Sequence, residues 1–293
     1  MTILRNEACK YAGTDWEYDY REIFSLCDEK QFQRVTSRRT SLFASLTKSW
    51  DVRLNSEWVC RTYLATKMIL NATVLVKSLE FAEDAGMRIA NAYIAYYATL
   101  SLLRSVVFLS PLESWNEGAL IKIPHSTAIN SAFDCIARFD KERANQLKHT
   151  THKLKAQRDL ISYRVPSSGD GILDNDYNLI YLLTVLAEVA QWQSELLEKS
   201  ISKNADQMTF ALLDEHIAQL TAIELEGFTF LDHADRNWLK YIQRKVLRPY
   251  NLASFMREGH TEDFMAAWDG NDGLKQAFQT GTPIEWQAIF DIP

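Results

Sequence analysis

From Ser56 onward, apolar residues recur at three- and four-residue steps through Leu64, Met68, Leu75 and Leu79. That spacing predicts a long helix over SEWVCRTYLATKMILNATVLVKSLEFAED. Ser56 is placed to cap it, with Glu57 in its first turn, and Gly86 to end it or to turn the chain just beyond. The next run, IANAYIAYYATLSLLRSVVFLSP, is apolar almost all round, as in a central helix covered by its neighbours, and Ser110-Pro111 closes it. A loop through ESWNEGALIKIPH leads to STAINSAFDCIARFD, where Ile129, Phe133, Ile136 and Phe139 share one face. A further helix runs from about Arg143 to Arg164. Pro166 forbids Val165 the helical region, and Gly169 permits a turn. After VPSSGDGILDND, the amphipathic stretch YNLIYLLTVLAEVAQWQSELLEKSISK is long enough to close a bundle with the preceding helices.

The flanks carry weaker patterns. Before residue 56, DWEYDYREIFSLCDEKQF predicts a short helix and SRRTSLFASLTKSWDV another, with Arg34, Arg38 and Arg39 on or near its start. Beyond a junction at Asn204 to Met208, TFALLDEHIAQLTAIELEG, ADRNWLKYIQRKVLRPY and TEDFMAAWDGNDGLKQAF read as shorter helices, joined by turns at Gly227, Pro249 and Gly270 to Gly273. The layout is an N-terminal helical extension over 1–55, a helical bundle over 56–203 and a C-terminal helical region over 204–293.

Composition sharpens this reading at a few points. Only 10 glycines and 6 prolines in 293 residues leave few breaks for a many-turned β protein, which favours an all-α fold. Cys9, Cys27, Cys60 and Cys135 lie far apart without CxxC spacing, so reduced thiols are expected rather than a zinc knuckle or disulfide framework. Charges interrupt every apolar stretch before membrane-spanning length, and no basic segment leads into an apolar run at the N-terminus. A cytoplasmic protein is expected, with no membrane contact. The formal net charge of −6 means that any nucleic-acid contact must rest on local patches. Neither GxGxxG, GxxxxGK[ST] nor HExxH occurs, and no cofactor or metal is expected.

Three motifs follow one another in the bundle. NAYIAYYATLSLLRSVV is followed by His125-Ser126 with Phe133, and then by Arg158-Asp159-Leu160-Ile161-Ser162-Tyr163. Together they resemble the "AYYA…HS…RxxADY" pattern of the HEPN superfamily, in its prokaryotic nucleotidyltransferase-associated branch, over residues 56–203, about half the chain. The resemblance implies an up-and-down helical bundle that dimerises, with the motif helices of two protomers around a shared cleft. It also implies metal-independent endoribonuclease activity in toxin–antitoxin, CRISPR or phage-defence systems. Arg158 and Asp159 match the first two positions of the R-x(4–6)-H motif, and Tyr163 stands where that motif has histidine.

Metal-free RNA cleavage needs a 2′-hydroxyl deprotonated, phosphorane charge stabilised and a leaving oxygen protonated. Arginine suits the second task through its planar, permanently charged fork. Histidine suits the proton transfers, whereas tyrosine with a pKa of about 10 is a poor base. Arg158, Asp159 and Tyr163 are therefore the candidate catalytic set. The same three residues also fit a polar dimer seam, or a phosphate-binding cleft without catalysis. His149 and His152 lie on the same helix, roughly 9–14 Å along the axis from Arg158, so their support would come across a dimer axis. His125, which opens a helix after Pro124, is read as a capping or interhelical hydrogen-bond residue.

Lys148, Lys153, Lys155, Arg158 and Arg164 give this helix a local basic excess. In ADRNWLKYIQRKVLRPY, Arg236, Lys240, Arg244 and Arg248 recur every four residues, one drifting stripe with Trp238, Tyr241 and Tyr250 nearby. Basic residues interleaved with aromatics can grip phosphates and stack bases, or simply form a solvated face with the rings turned inward. Two functions follow. One is an RNA- or nucleotide-binding protein of a prokaryotic defence or toxin–antitoxin system, acting as a homodimer and either cleaving RNA or only holding it. The other is a non-catalytic helical adaptor that regulates a nucleotidyltransferase, nuclease or other protein partner from the same operon.

Overall fold

Asp51, rather than Ser56, starts the long helix. The Asp51 carboxylate accepts the Leu54 amide at 2.7 Å, which satisfies a first-turn donor, and the helix runs Val52–Asp84. Ser56 lies one turn inside, buried, its hydroxyl donating to Val52 O at 2.8 Å and to Ala211 O at 3.0 Å. The computed structural model describes residues 18–173, 176–256, 258–268 and 288–290. Its helices are α1 Glu29–Thr47, α2 Val52–Asp84, α3 Asn91–Phe108, α4 His125–Ile136, α5 Lys141–Arg164, α6 Leu179–Asn204, α7 Asp214–Thr221, α8 His233–Lys245, α9 Leu252–Phe255 and α10 Glu258–Trp268. A two-stranded hairpin, β1 Ala222–Leu225 and β2 Phe228–Leu231, lies between α7 and α8.

The fold is all-α apart from that hairpin. Helix α3 is central and packs against α2, α4, α5 and α6, as its all-round apolar sequence requires. Ile129, Phe133, Ile136 and Phe139 all turn inward on the α4 side. One buried cluster extends from Tyr18 through Trp58, Tyr96 and Trp192 to Phe290, and takes in Ile217, Leu239 and Leu252 beyond α6. Polar ties reinforce it. The Asn55 amide donates to Ala211 O at 2.7 Å and Leu247 O at 2.8 Å, and the buried Glu188 carboxylate accepts the amides of Arg21, Glu22 and Ile23 at 2.6–2.9 Å. Arg61 seals the end of α3 by donating to Phe108 O and Ser110 O at 2.6 Å and to Glu113 O at 3.0 Å. These are carbonyls that a helix terminus leaves open.

Several sequence expectations change. The N-terminal region forms one helix, α1, after a single 3-10 turn at Ile23–Ser25, because Asp28 caps α1 at the Gln31 amide and apolar spacing holds from Phe32 to Phe43. Arg34, Arg38 and Arg39 therefore lie within α1. Arg39 is buried, with Nη2 3.0 Å from Cys135 Sγ. The expected helix over TFALLDEHIAQLTAIELEG stops at Thr221. Glu226 and Gly227 both take left-handed φ, 50° and 81°, which is the backbone of a tight hairpin turn, and Ile223 pairs with Phe230 across it. Cys27, Cys60 and Cys135 are free thiols, while Cys9 and the turn at Gly270 to Gly273 lie outside the described residues. Among the described residues no helix is long and apolar enough to cross a membrane.

Candidate anion-binding site

Helix α5 ends as its sequence predicts, at Arg164, and Val165 takes φ 38° before Pro166. A β-branched residue in the left-handed region is strained, and the strain sits at the end of the helix that carries the candidate motif. The Ser162 hydroxyl donates to Arg158 O at 2.8 Å and to the Tyr93 hydroxyl at 3.3 Å, which ties this last turn to the start of α3.

Arg158 points into the α3–α5 interface. Its side chain is 17% exposed, and its guanidinium lies 5.0 Å from the Tyr96 ring centroid and 5.9 Å from that of Tyr97. Nη2 meets Asp159 Oδ1 at 2.6 Å, and Asp159 Oδ2 accepts Lys155 Nζ at 3.0 Å. Arg158 Nε is buried and has no hydrogen-bond partner among the described residues. The same holds for Nε of Arg104, half-buried on α3. Burial lowers the Arg104 pKa, against the pull of Tyr96 and Tyr97.

His125 completes the cluster. Its Nδ1 lies 2.9 Å from the Tyr96 hydroxyl, and its ring stands edge-on to Tyr97 at 6.4 Å. Burial lowers its pKa, and the charges of Arg104, Arg158 and Lys155 push the same way, opposed only by Asp159. These shifts favour the neutral ring. With Nδ1 engaged by Tyr96, Nε2 carries the proton when the tyrosine donates and is free to accept one when Nδ1 donates. Burial also raises the Tyr96 pKa, with Arg158 acting the other way.

The other sequence candidates are dispersed. Tyr163 is 77% exposed. His149 and His152 are exposed on α5. Lys153 lies 5.6 Å over the Tyr177 ring, and Arg164 is exposed. The basic stripe breaks up, because α8 ends at Lys245. Arg236 and Arg244 are exposed, and Lys240 is bound to Asp214 at 2.7 Å. Arg248 lies beyond the helix, donating to Ser202 at 2.7 Å and covering the Tyr250 ring at 4.6 Å. Trp238 packs on Tyr241 and His260 instead of offering a free ring face in line with the cations.

Sequence reading missed Arg104, Tyr96 and Tyr97. The signal was present, since Tyr97 and Arg104 are seven residues apart and so share a face of α3. An arginine within an otherwise apolar central helix needs a reason to be there. The resulting arrangement gathers two guanidinium groups, an imidazole whose pKa is lowered and a tyrosine hydroxyl in a partly desolvated setting, groups of the kind that bind anions and exchange protons. No family model matches the chain, and no curated protein or solved structure matches it either.

Proposed function

We propose that the protein binds RNA or nucleotide phosphate at the Arg104–Arg158 cluster, as a HEPN-like member of a prokaryotic defence or toxin–antitoxin system, working as a cytoplasmic homodimer. The observation that supports this reading is Arg158 held over the Tyr96 and Tyr97 rings, with Arg104 close enough to act on the same Tyr96 and on His125. The same residue types suit metal-free RNA cleavage. His125 Nε2 would take the proton of the 2′-hydroxyl as that oxygen attacks phosphorus, Arg104 and Arg158 would hold the phosphorane charge, and the imidazolium so formed would return its proton to the departing 5′ oxygen as its bond to phosphorus breaks. In this scheme His125, not Tyr163, carries the proton. Incubation with single-stranded RNA in EDTA, with binding read by fluorescence anisotropy at rising salt, tests both halves. Salt-sensitive binding supports the phosphate site, and its absence in the wild-type chain removes it.

A second reading, a non-catalytic adaptor for a protein partner, is favoured by the hairpin. Ile223, Leu225, Phe228 and Phe230 share one of its faces and are 36–68% exposed. An exposed apolar face on two strands alone is characteristic of a docking element. Co-purification with a nucleotidyltransferase or nuclease that is lost when Phe228 and Phe230 become serine supports this reading. Clean isolation without a partner from native cells counts against it.

A further inference from the structure

A cavity of about 330 Å3 lies between α2, α8 and α10, where no sequence motif pointed. Its walls mix rings and carboxylates. Tyr63, Trp238, His260, Phe264 and Trp268 contribute the rings, and Asp232, Asp235 and Asp263 the acids, against the single cation Lys67.

The polar groups are arranged in a definite order. Asp235 Oδ1 accepts the Tyr63 hydroxyl at 2.8 Å, and Oδ2 meets Lys67 Nζ at 2.5 Å. Asp232 is 3.9 Å from the same ammonium. The positive charge of Lys67 is thus spent on Asp235, and the cavity keeps a negative excess. Among the described residues Asp263 meets no cation, and it is exposed at the rim. His260 lies stacked on Tyr63 at 5.5 Å with 9° between the planes, and 4.6 Å from Trp238. It is 4% exposed, and its ring nitrogens make no hydrogen bond to a described residue. Trp268, 64% exposed, stands at the mouth.

We infer that this cavity is a binding site for a small organic cation of the alkylated-ammonium class, held by ring faces and by the exposed carboxylate of Asp263, while Asp232, which caps α8 by accepting the Asp235 amide at 2.9 Å, adds to the negative wall. Aromatic faces carry negative charge density, and carboxylates at the same wall add to it, whereas an anion would face an excess of acids over the one lysine. A bare metal ion would need converging oxygen or nitrogen ligands, and among the described residues no cluster of His, Cys, Asp and Glu is placed to hold one. The volume is at the lower end of small-molecule sites, roughly 300–1,000 Å3, so the occupant is small. This site is separate from the Arg104–Arg158 cluster and stands whether or not RNA binds there.

Isothermal titration of the full chain with choline, with tetramethylammonium and with 3,3-dimethylbutan-1-ol, the neutral isostere of choline, tests the inference. Both cations bind, and the alcohol binds at least about tenfold more weakly. Asp263→Asn and Trp268→Ala change exposed side chains, so the fold survives, as circular dichroism will report. Each weakens choline binding several-fold. Equal binding of the alcohol would reduce the cavity to an apolar crevice. The absence of heat with either cation up to about 10 mM, or unchanged binding in both variants, would remove the site.

Discussion

The Tyr96 hydroxyl meets His125 Nδ1 at 2.9 Å, joining the central helix to the first residue of α4 while Arg158 covers the same tyrosine ring. Tyr96 is therefore a shared platform that sets the histidine's orientation and the arginine's position. Because burial and three cations depress the His125 pKa, its imidazole titrates below the usual histidine range of about 6.5. Arg158→Gln removes one of those charges and moves the midpoint upward, read from the ring proton shifts by NMR. A midpoint that ignores the substitution would separate the two residues electrostatically.

Arg61 gives the strongest stability prediction. It is 1% exposed, its guanidinium stacks 3.9 Å from the Trp58 ring, and it serves three backbone carbonyls together with Glu57 at 3.0 Å. Arg61→Met keeps much of the volume but strands those acceptors and the carboxylate. The loss is about 3–5 kcal/mol, from urea unfolding at pH 7. Arg53→Met, at an exposed guanidinium on the second residue of α2, changes stability by less than about 0.5 kcal/mol.

His260 predicts a pH dependence. Burial, aided by Lys67, lowers its pKa to about 4 from an ordinary value of about 6.5. A depressed folded-state pKa means that the unfolded chain binds the proton more readily. The stability from the neutral ring is complete above pH 6.5 and is lost as pH falls toward 4, to the extent of about 3 kcal/mol. His260→Phe keeps a ring that cannot protonate. The gap between variant and wild type, in denaturant midpoints taken from pH 7 to pH 4, should close or reverse in the variant's favour as the pH drops. A constant gap would mean that His260 does not titrate in this window.

Much of the helical core was legible in the sequence because burial and period coincide there. Ile129, Phe133, Ile136 and Phe139 read as one face and form one, and the all-round apolar run became the central helix. Legibility failed where local signals compete. Ser56 is a good cap residue, yet Asp51 lies five residues earlier with a free carboxylate, and the helix began there. Ala222 to Leu231 has apolar spacing that fits a helix as well as a hairpin, and the left-handed pair Glu226-Gly227 decided for the hairpin. The candidate site was half visible. Arg158 and Asp159 stood out by motif and His125 by its place after a proline. Arg104, Tyr96 and Tyr97 were hidden within a helix whose pattern says only that it is covered. Their meeting with α5 is long-range, and periodicity carries no record of it. The stacking of His260 on Tyr63, nearly two hundred residues apart in sequence, is illegible for the same reason.

The central claim is that Arg104 and Arg158 hold one phosphate between them. The most direct measurement is the anisotropy of a labelled single-stranded RNA in EDTA, titrated with wild type and with the Arg104→Gln/Arg158→Gln double variant across a series of salt concentrations. Wild type should bind with affinity that falls as salt rises, and the double variant should bind at least about tenfold more weakly, with a log–log slope shallower by about 0.7, the share of the one phosphate no longer neutralised. Equal affinity and equal slope for the two proteins would contradict the account and leave these arginines a purely structural role in the α3–α5 interface.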